Sequence, residues 1–125
     1  MSEPIVFISH HRIKHGKLEA LQKYHHEGTP RLQEGKPGTI GFLAYTSEDG
    51  GEVSFLHVFP DSKAMDHHLE GAGERAKSAY ELIQPQSFEI YGKPSVGALE
   101  MMKHSGIMKD LSRAFTKIVI ILWNL

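Results

Sequence analysis

The chain has 125 residues, 40% of them hydrophobic and 23% charged, with a formal net charge of -1 at pH 7 and no cysteine. That balance suits one globular domain with a real core. It offers no basic stripe for nucleic acid and no sulfur for disulfides, thiolate metal sites or a cysteine nucleophile. The start, Met1-Ser2-Glu3-Pro4, lacks the pattern of a signal peptide, and the longest apolar run, Ile118 to Trp123, is too short to cross a bilayer. A cytoplasmic protein with no membrane or nucleic-acid partner is expected.

A first strand is expected over Pro4 to Lys14. Alternation places Ile5, Phe7, Ser9, His11 and Ile13 on one face and Val6, Ile8, His10 and Arg12 on the other. A helix begins near Lys17, where Leu18, Leu21, Tyr24 and His25 recur at helical spacing. Gly28-Thr29-Pro30 is expected to interrupt it, leaving a short second segment to about Gly35. Strands follow over Thr39 to Thr46 and Glu52 to Phe59, joined by the turn Ser47-Glu48-Asp49-Gly50-Gly51. On the latter strand Val53, Phe55, His57 and Phe59 share one face, and Ser54, Leu56 and Val58 the other.

Asp61 or Ser62 caps a second helix. Its inner face carries Ala64, His68, Ala72, Ala76, Ala79, Tyr80 and Ile83, and Gly71 and Gly73 predict a kink or break midway. Pro85 is expected to close this helix before a fourth strand from Gln86 to Gly92. Ser95 to Lys103 reads as a short helix, and the β-branched run Ile118 to Trp123 as a fifth strand.

The order β-α-β-β-α-β is the split motif of ferredoxin-like α+β folds, built on a four-stranded antiparallel sheet. Residues 1–94 make this unit, and residues 95–125 an extension packed on the same domain. Two helices cover one face of such a sheet, yet the first and third strands are apolar on both. The simplest cover for the second face is an identical sheet, so a homodimer through the sheet face is expected. The alternative is that the C-terminal tail folds over it.

The motif makes the first and third strands neighbours, which brings His11 and His57 to the helix-covered face with His68 above them. A neutral imidazole moves protons near physiological pH, so these three are the catalytic candidates. Phe7, Phe42, Phe55 and Phe59 would keep a pocket there dry, and Ser9, Tyr24 and Tyr80 would give it polar tips. His10, His26 and His67 are assigned to the interface or solvent, and Arg12 and Arg31 are the cations available for an anionic substrate. Three converging imidazoles would also make a metal site, although no local ligand motif supports one.

Four stretches resemble the antibiotic biosynthesis monooxygenase family of dimeric α/β-barrel proteins. They are Ile13-Lys14-His15-Gly16-Lys17, Pro37-Gly38-Thr39-Ile40-Gly41-Phe42, the run from Phe55 to Leu69, and Phe88-Glu89-Ile90-Tyr91-Gly92-Lys93-Pro94. The resemblance covers about residues 4 to 94. It implies a ferredoxin-like subunit dimerised through its sheet, with a small-molecule pocket between sheet and helices. It implies oxidation of a small aromatic or quinol-like molecule by oxygen with no metal or flavin, His68 matching a recurring histidine. Other members degrade haem, isomerise, or bind small metabolites. The chain departs from the haem-degrading pattern: Ser9 replaces an asparagine and His68 a tryptophan, while Asn124 and Trp123 are the only residues of those types. His57 stands where many relatives carry a glutamate. The expected function is a cofactor-independent monooxygenase. The alternatives are a non-catalytic or stress-related binding module and a histidine-cluster metalloenzyme.

Overall fold

The computed structural model describes residues 4–35 and 41–104. The expected fifth strand and the Pro37 to Ile40 stretch lie outside them. Along the chain run β1 (Ile5–Ile13), α1 (Leu18–Gly35), β2 (Gly41–Thr46), β3 (Glu52–Phe59), α2 (Ser62–Leu69), α3 (Ala72–Ala79), β4 (Ile83–Tyr91) and α4 (Val96–His104). The strands form one antiparallel sheet in the order β2-β3-β1-β4. This is the ferredoxin-like α+β arrangement that the element order predicts. Among the described residues no helix is long and apolar enough to cross a membrane.

Register decides which side chains meet. β1 and β3 pair with Phe7 opposite His57, Ser9 opposite Phe55 and His11 opposite Val53. Phe42 of β2 also faces His57. Because side chains alternate along a strand, all of these share the helix-covered face. Two apolar clusters sit there. One joins Ile5, Phe59, Met65, Phe88, Ile90 and Met102; the other joins Ile13, Leu21, Val53, Phe55 and Ile83.

The helices differ from expectation in two places. α1 runs unbroken through Pro30. Pro30 removes one helical N–H, and both it and His26, whose carbonyl loses that partner, are exposed, so water can satisfy the carbonyl. The second helix does break as its glycines predict. α2 ends at Glu70, and Gly71 takes a φ of +74°, a left-handed conformation costly for residues with a Cβ. Asp61 caps α2, its Oδ1 accepting from the Ala64 N–H at 2.8 Å.

β4 begins earlier than expected, at Ile83, and contains Pro85. β4 is an edge strand, and the β1–β4 register shifts between His10 and His11, so a residue without an N–H fits there. The start of the C-terminal extension packs on the domain through α4. Ala98 and Met102 are buried, and Ser95 Oγ donates to Asp66 of α2 at 2.6 Å.

Met65 is the residue that seats α2, with no exposed surface, and helix periodicity centred on the alanines did not single it out. Met65→Ala is expected to lower unfolding free energy by about 2–5 kcal/mol in urea titrations. A loss below about 1 kcal/mol would mean that α2 does not depend on this contact.

Candidate functional site

The site is built from the inner face of β1 and β3, roofed by α1, α2 and α3. β3 alternates burial along its whole length, which turns Phe55, His57 and Phe59 inward. α2 buries Met65 and His68, three residues apart on one helical face. The result places four polar side chains in the core: Ser9, His11, His57 and His68, exposed by 5%, 5%, 9% and 8%.

Ring contacts link them. The His57 ring lies 4.8 Å from His68, 4.8 Å from Phe42, 5.8 Å from Phe7 and 6.0 Å from Phe59, while His68 also meets Phe59 at 5.2 Å. At the other end His11 contacts Phe55 at 5.3 Å. His25 of α1 joins the ends, 4.5 Å from Phe55 and 6.0 Å from Phe42. Thus His57, His68, Phe7, Phe42 and Phe59 form one group, and His11, Phe55 and His25 its neighbour. Ser9 is buried in the same sheet face between them.

The three-histidine convergence does not occur. His11 stands opposite Val53 and His57 opposite Phe7, so four strand residues, about 13 Å, separate them along the sheet. Among the described residues no three His, Asp or Glu side chains are placed to hold one metal ion. Parity along the strands correctly predicted a shared face, but sharing a face does not bring two residues together.

Tyr24 and Tyr80 are peripheral. Tyr24 packs edge-on to His25 at 5.4 Å and its OH donates to the Arg75 carbonyl at 3.2 Å. Tyr80 packs at the margin of the second apolar cluster, and its carbonyl accepts from Lys14 Nζ. His10 lies on the opposite sheet face, in an array with Ser54 Oγ at 2.7 Å and Glu89 Oε2 at 2.9 Å. Arg12 is exposed.

Two further residues reach this group. His25 follows Leu18 and Leu21 on one face of α1, and that spacing made it a polar-tipped candidate for the pocket. Arg75 of α3 was missed altogether. Its guanidinium donates to the His68 and Glu70 carbonyls, closing the turn between α2 and α3. Only a broken helix exposes those carbonyls to it, so the contact follows from the Gly71 turn.

The electrostatics favour neutral rings. Burial, followed by the charges of His68, Arg75, His25 and His11, lowers the His57 pKa from 6.5 to about 3. Burial, then His10 and His25, lowers His11 to about 4. Burial also lowers His25. His57 Nδ1 and His11 Nδ1 are buried with no hydrogen-bond partner among the described residues. Such orphaned nitrogens cost about 1–3 kcal/mol each, which marks them as places for a ligand's polar atom. Two clefts lie away from this group. One of about 230 Å³ sits between α2 and α4, and one of about 510 Å³ beside the Gly16 and Gly50 turns.

A pH dependence of stability follows. Both imidazoles take up protons near pH 6.5 when unfolded but only near pH 4 and pH 3 when folded. Protonation therefore favours the unfolded chain. Their contribution is complete above pH 6.5 and is lost as pH falls toward 4 and then 3. Urea titrations across this window should show His57→Phe flattening the slope by about 1.4 kcal/mol per pH unit. An unchanged slope would mean that His57 is not held neutral by burial.

No family model matches the chain, and neither does any curated protein. Solved structures do. MupZ from Pseudomonas fluorescens superposes with a TM-score of 0.72 at 15% identity, covering 99% of this chain and 94% of that one. SnoaB from Streptomyces nogalater, a cofactor-independent oxygenase, gives 0.61 at 13% identity, covering 76% and 97%. A Bacteroides thetaiotaomicron protein, provisionally described as an antibiotic biosynthesis monooxygenase, gives 0.56 at 19% identity, covering 66% and 81%. At these identities the likeness establishes the fold alone: the chain has the ferredoxin-like α+β arrangement on a four-stranded antiparallel sheet.

Proposed function

We propose that this protein is a cofactor-independent oxygenase acting on a small hydroxylated aromatic or quinol-like molecule bound between sheet and helices. The observation that carries the reading is the buried Nδ1 of His57, which has no hydrogen-bond partner among the described residues, on a ring whose centre lies 4.8 Å from that of His68 and which packs among Phe7, Phe42 and Phe59. The phenyl groups of Phe7 and Phe42 suit a flat apolar body, and the orphaned nitrogen suits a hydroxyl or the oxygen left after its ionisation. The fold shared with a cofactor-independent oxygenase supports the same reading. Fold likeness alone does not assign an activity, and the buried histidine pair carries the reading.

The two imidazoles divide the work. His57, its pKa held near 3, is a weak base and stays neutral, leaving Nδ1 to bond the substrate oxygen. His68 takes the phenolic proton. The phenolate gives an electron to oxygen, and the resulting pair combines to form a bond from ring carbon to oxygen. The distal oxygen takes back the proton from His68. The hydroperoxide then loses the ring hydrogen and its outer oxygen as water, leaving a quinone. One atom of O₂ ends in the product and the other in water. Burial in a dry site keeps the reactive pair from solvent.

The reading includes a homodimer through the second sheet face. Val6, Ile8, Leu56 and Val58 are only half-buried there, and Leu43 and Tyr45 are 49% and 59% exposed. An apolar face of this kind calls for a cover. Sedimentation of the native protein should report a dimer, and Ile8→Glu with Leu56→Glu should convert it to monomer. A monomeric native protein would remove this part of the reading.

Oxygen-electrode assays against a panel of phenols and hydroquinones test the activity. Uptake is expected to persist with chelator present and to fall by about 100-fold or more in His68→Gln, with circular dichroism unchanged. Retention of a phenol with no uptake across the panel would make the protein a binding module instead.

A further inference from the structure

The outer face of the sheet carries a built polar array that the chemistry above leaves unused. His10 Nδ1 lies 2.7 Å from Ser54 Oγ, and His10 Nε2 lies 2.9 Å from Glu89 Oε2. Tyr91 OH donates to the other oxygen of Glu89 at 3.4 Å. The His10 and Glu89 side chains are 38% and 25% exposed. A carboxylate only accepts, so Nε2 carries the hydrogen. The Ser54 hydroxyl donates to Nδ1 when the ring is neutral and, by rotating, accepts from Nδ1–H when the ring is charged. Both protonation states are therefore fully bonded, unlike those of His57 and His11. Histidine is the side chain that changes charge between about pH 5 and 8.

Register places the array beside an apolar half built on Val6, Ile8, Leu43, Leu56 and Val58. Among the paired strand residues the outward charges are Arg12 on β1, Glu52 on β3 and Glu89 on β4. On β2 the outward polar side chain is Tyr45, across from Ser54. Lys14, just past β1, is turned to the Tyr80 carbonyl. One cation stands against two carboxylates, so this face has a surplus of one negative charge when His10 is neutral and none when it is protonated. Identical faces packed together meet their own likeness. Two faces with the surplus repel, and a carboxylate taken from water without a counter-charge is costly. Two faces with His10 protonated are each balanced, and each Glu89 keeps a cation at 2.9 Å.

We propose that the sheet-face homodimer is proton-linked, with His10 and Glu89 as its sensor: copies associate with uptake of a proton on each His10 and separate as those protons leave. This rests on the homodimer reading above and goes beyond it by giving the interface a control. The second copy is the partner because the apolar half matches itself; the charged half makes that match conditional on pH. The associated form binds more protons, so association strengthens as pH falls from about 8 to about 6. His11 and His57, held neutral until about pH 4 and about pH 3, contribute nothing in that window.

Equilibrium sedimentation of the full chain at low salt and at pH 6, 7 and 8 tests this. The dimer Kd is expected to be about tenfold or more lower at pH 6 than at pH 8. His10→Gln keeps a hydrogen-bonding side chain without the charge, and its Kd should stay at the native pH 8 value throughout. Glu89→Gln removes the surplus, so it should dimerise at pH 8 about as tightly as the native protein at pH 6, and acidification should tighten it no further. A native Kd that does not change with pH, or a pH dependence that survives His10→Gln, would overturn the proposal and leave the dimer standing. A native monomer at every pH would overturn both. Should the dimer stay intact at the lowest concentration, subunit exchange between two labelled preparations decides. Exchange should be about tenfold or more faster at pH 8 than at pH 6, and equal rates would overturn the proposal. The native comparison holds even where a variant misfolds.

Discussion

Removing imidazoles from water is the constraint on which the rest depends. A core of this size is ordinarily filled with aliphatic and phenyl groups. Here His57, His68 and His11 occupy core positions among Phe7, Phe55 and Phe59. Burial makes the charged forms of His57 and His11 costly, so both are neutral, and it leaves a nitrogen on each without a partner among the described residues. Folding must supply the free energy to hold them there. The two apolar clusters at either end of the sheet do so, one anchored by Phe59 and Met65, the other by Leu21 and Phe55. The polar group sits between them, in the same layer.

The roof over this group is assembled from interruptions as much as from helices. Gly71 turns the chain between α2 and α3 with a left-handed backbone, which frees the carbonyls at the end of α2. Arg75 answers them from the next helix, and in doing so brings its charge beside His68. A continuous helix would have satisfied those carbonyls internally and carried the arginine elsewhere. Asp61 fixes the opposite end of α2, so the helix that bears His68 is held by a cap at its start and by a cation at its finish.

The two sheet faces meet different surroundings. The inner face packs against helices and holds the buried histidines. The outer face is apolar around Val6, Ile8, Leu56 and Val58 and polar toward Arg12, Glu52, Gln84 and Ser87, with the array of His10, Ser54 and Glu89 between, where each ring nitrogen of His10 has a partner at hydrogen-bond distance. The contrast is informative. The histidine on the outer face is satisfied within the chain, whereas His11, its neighbour on β1, turns inward and has a nitrogen with no partner among the described residues. Adjacent residues of one strand meet opposite environments because the pleat turns them apart.

Periodicity and punctuation in the sequence determined the element order, the antiparallel sheet, the inward facing of His11 and His57, the cap at Asp61 and the weak point at Gly71. These are local properties: strand alternation, helical spacing and glycine's freedom each act over a few residues. Pro30 and Pro85 were misread for the same reason. A proline's local cost says nothing of whether water reaches the freed carbonyl or whether the strand is an edge. What only the tertiary structure decided was distance. Register set His11 about 13 Å along the sheet from His57 rather than beside it. Packing selected Met65 as the anchor of α2 and drew His25 over Phe55. The turn at Gly71 delivered Arg75 to the site. Sequence spacing specifies which way a side chain points; only the packed chain specifies what it meets.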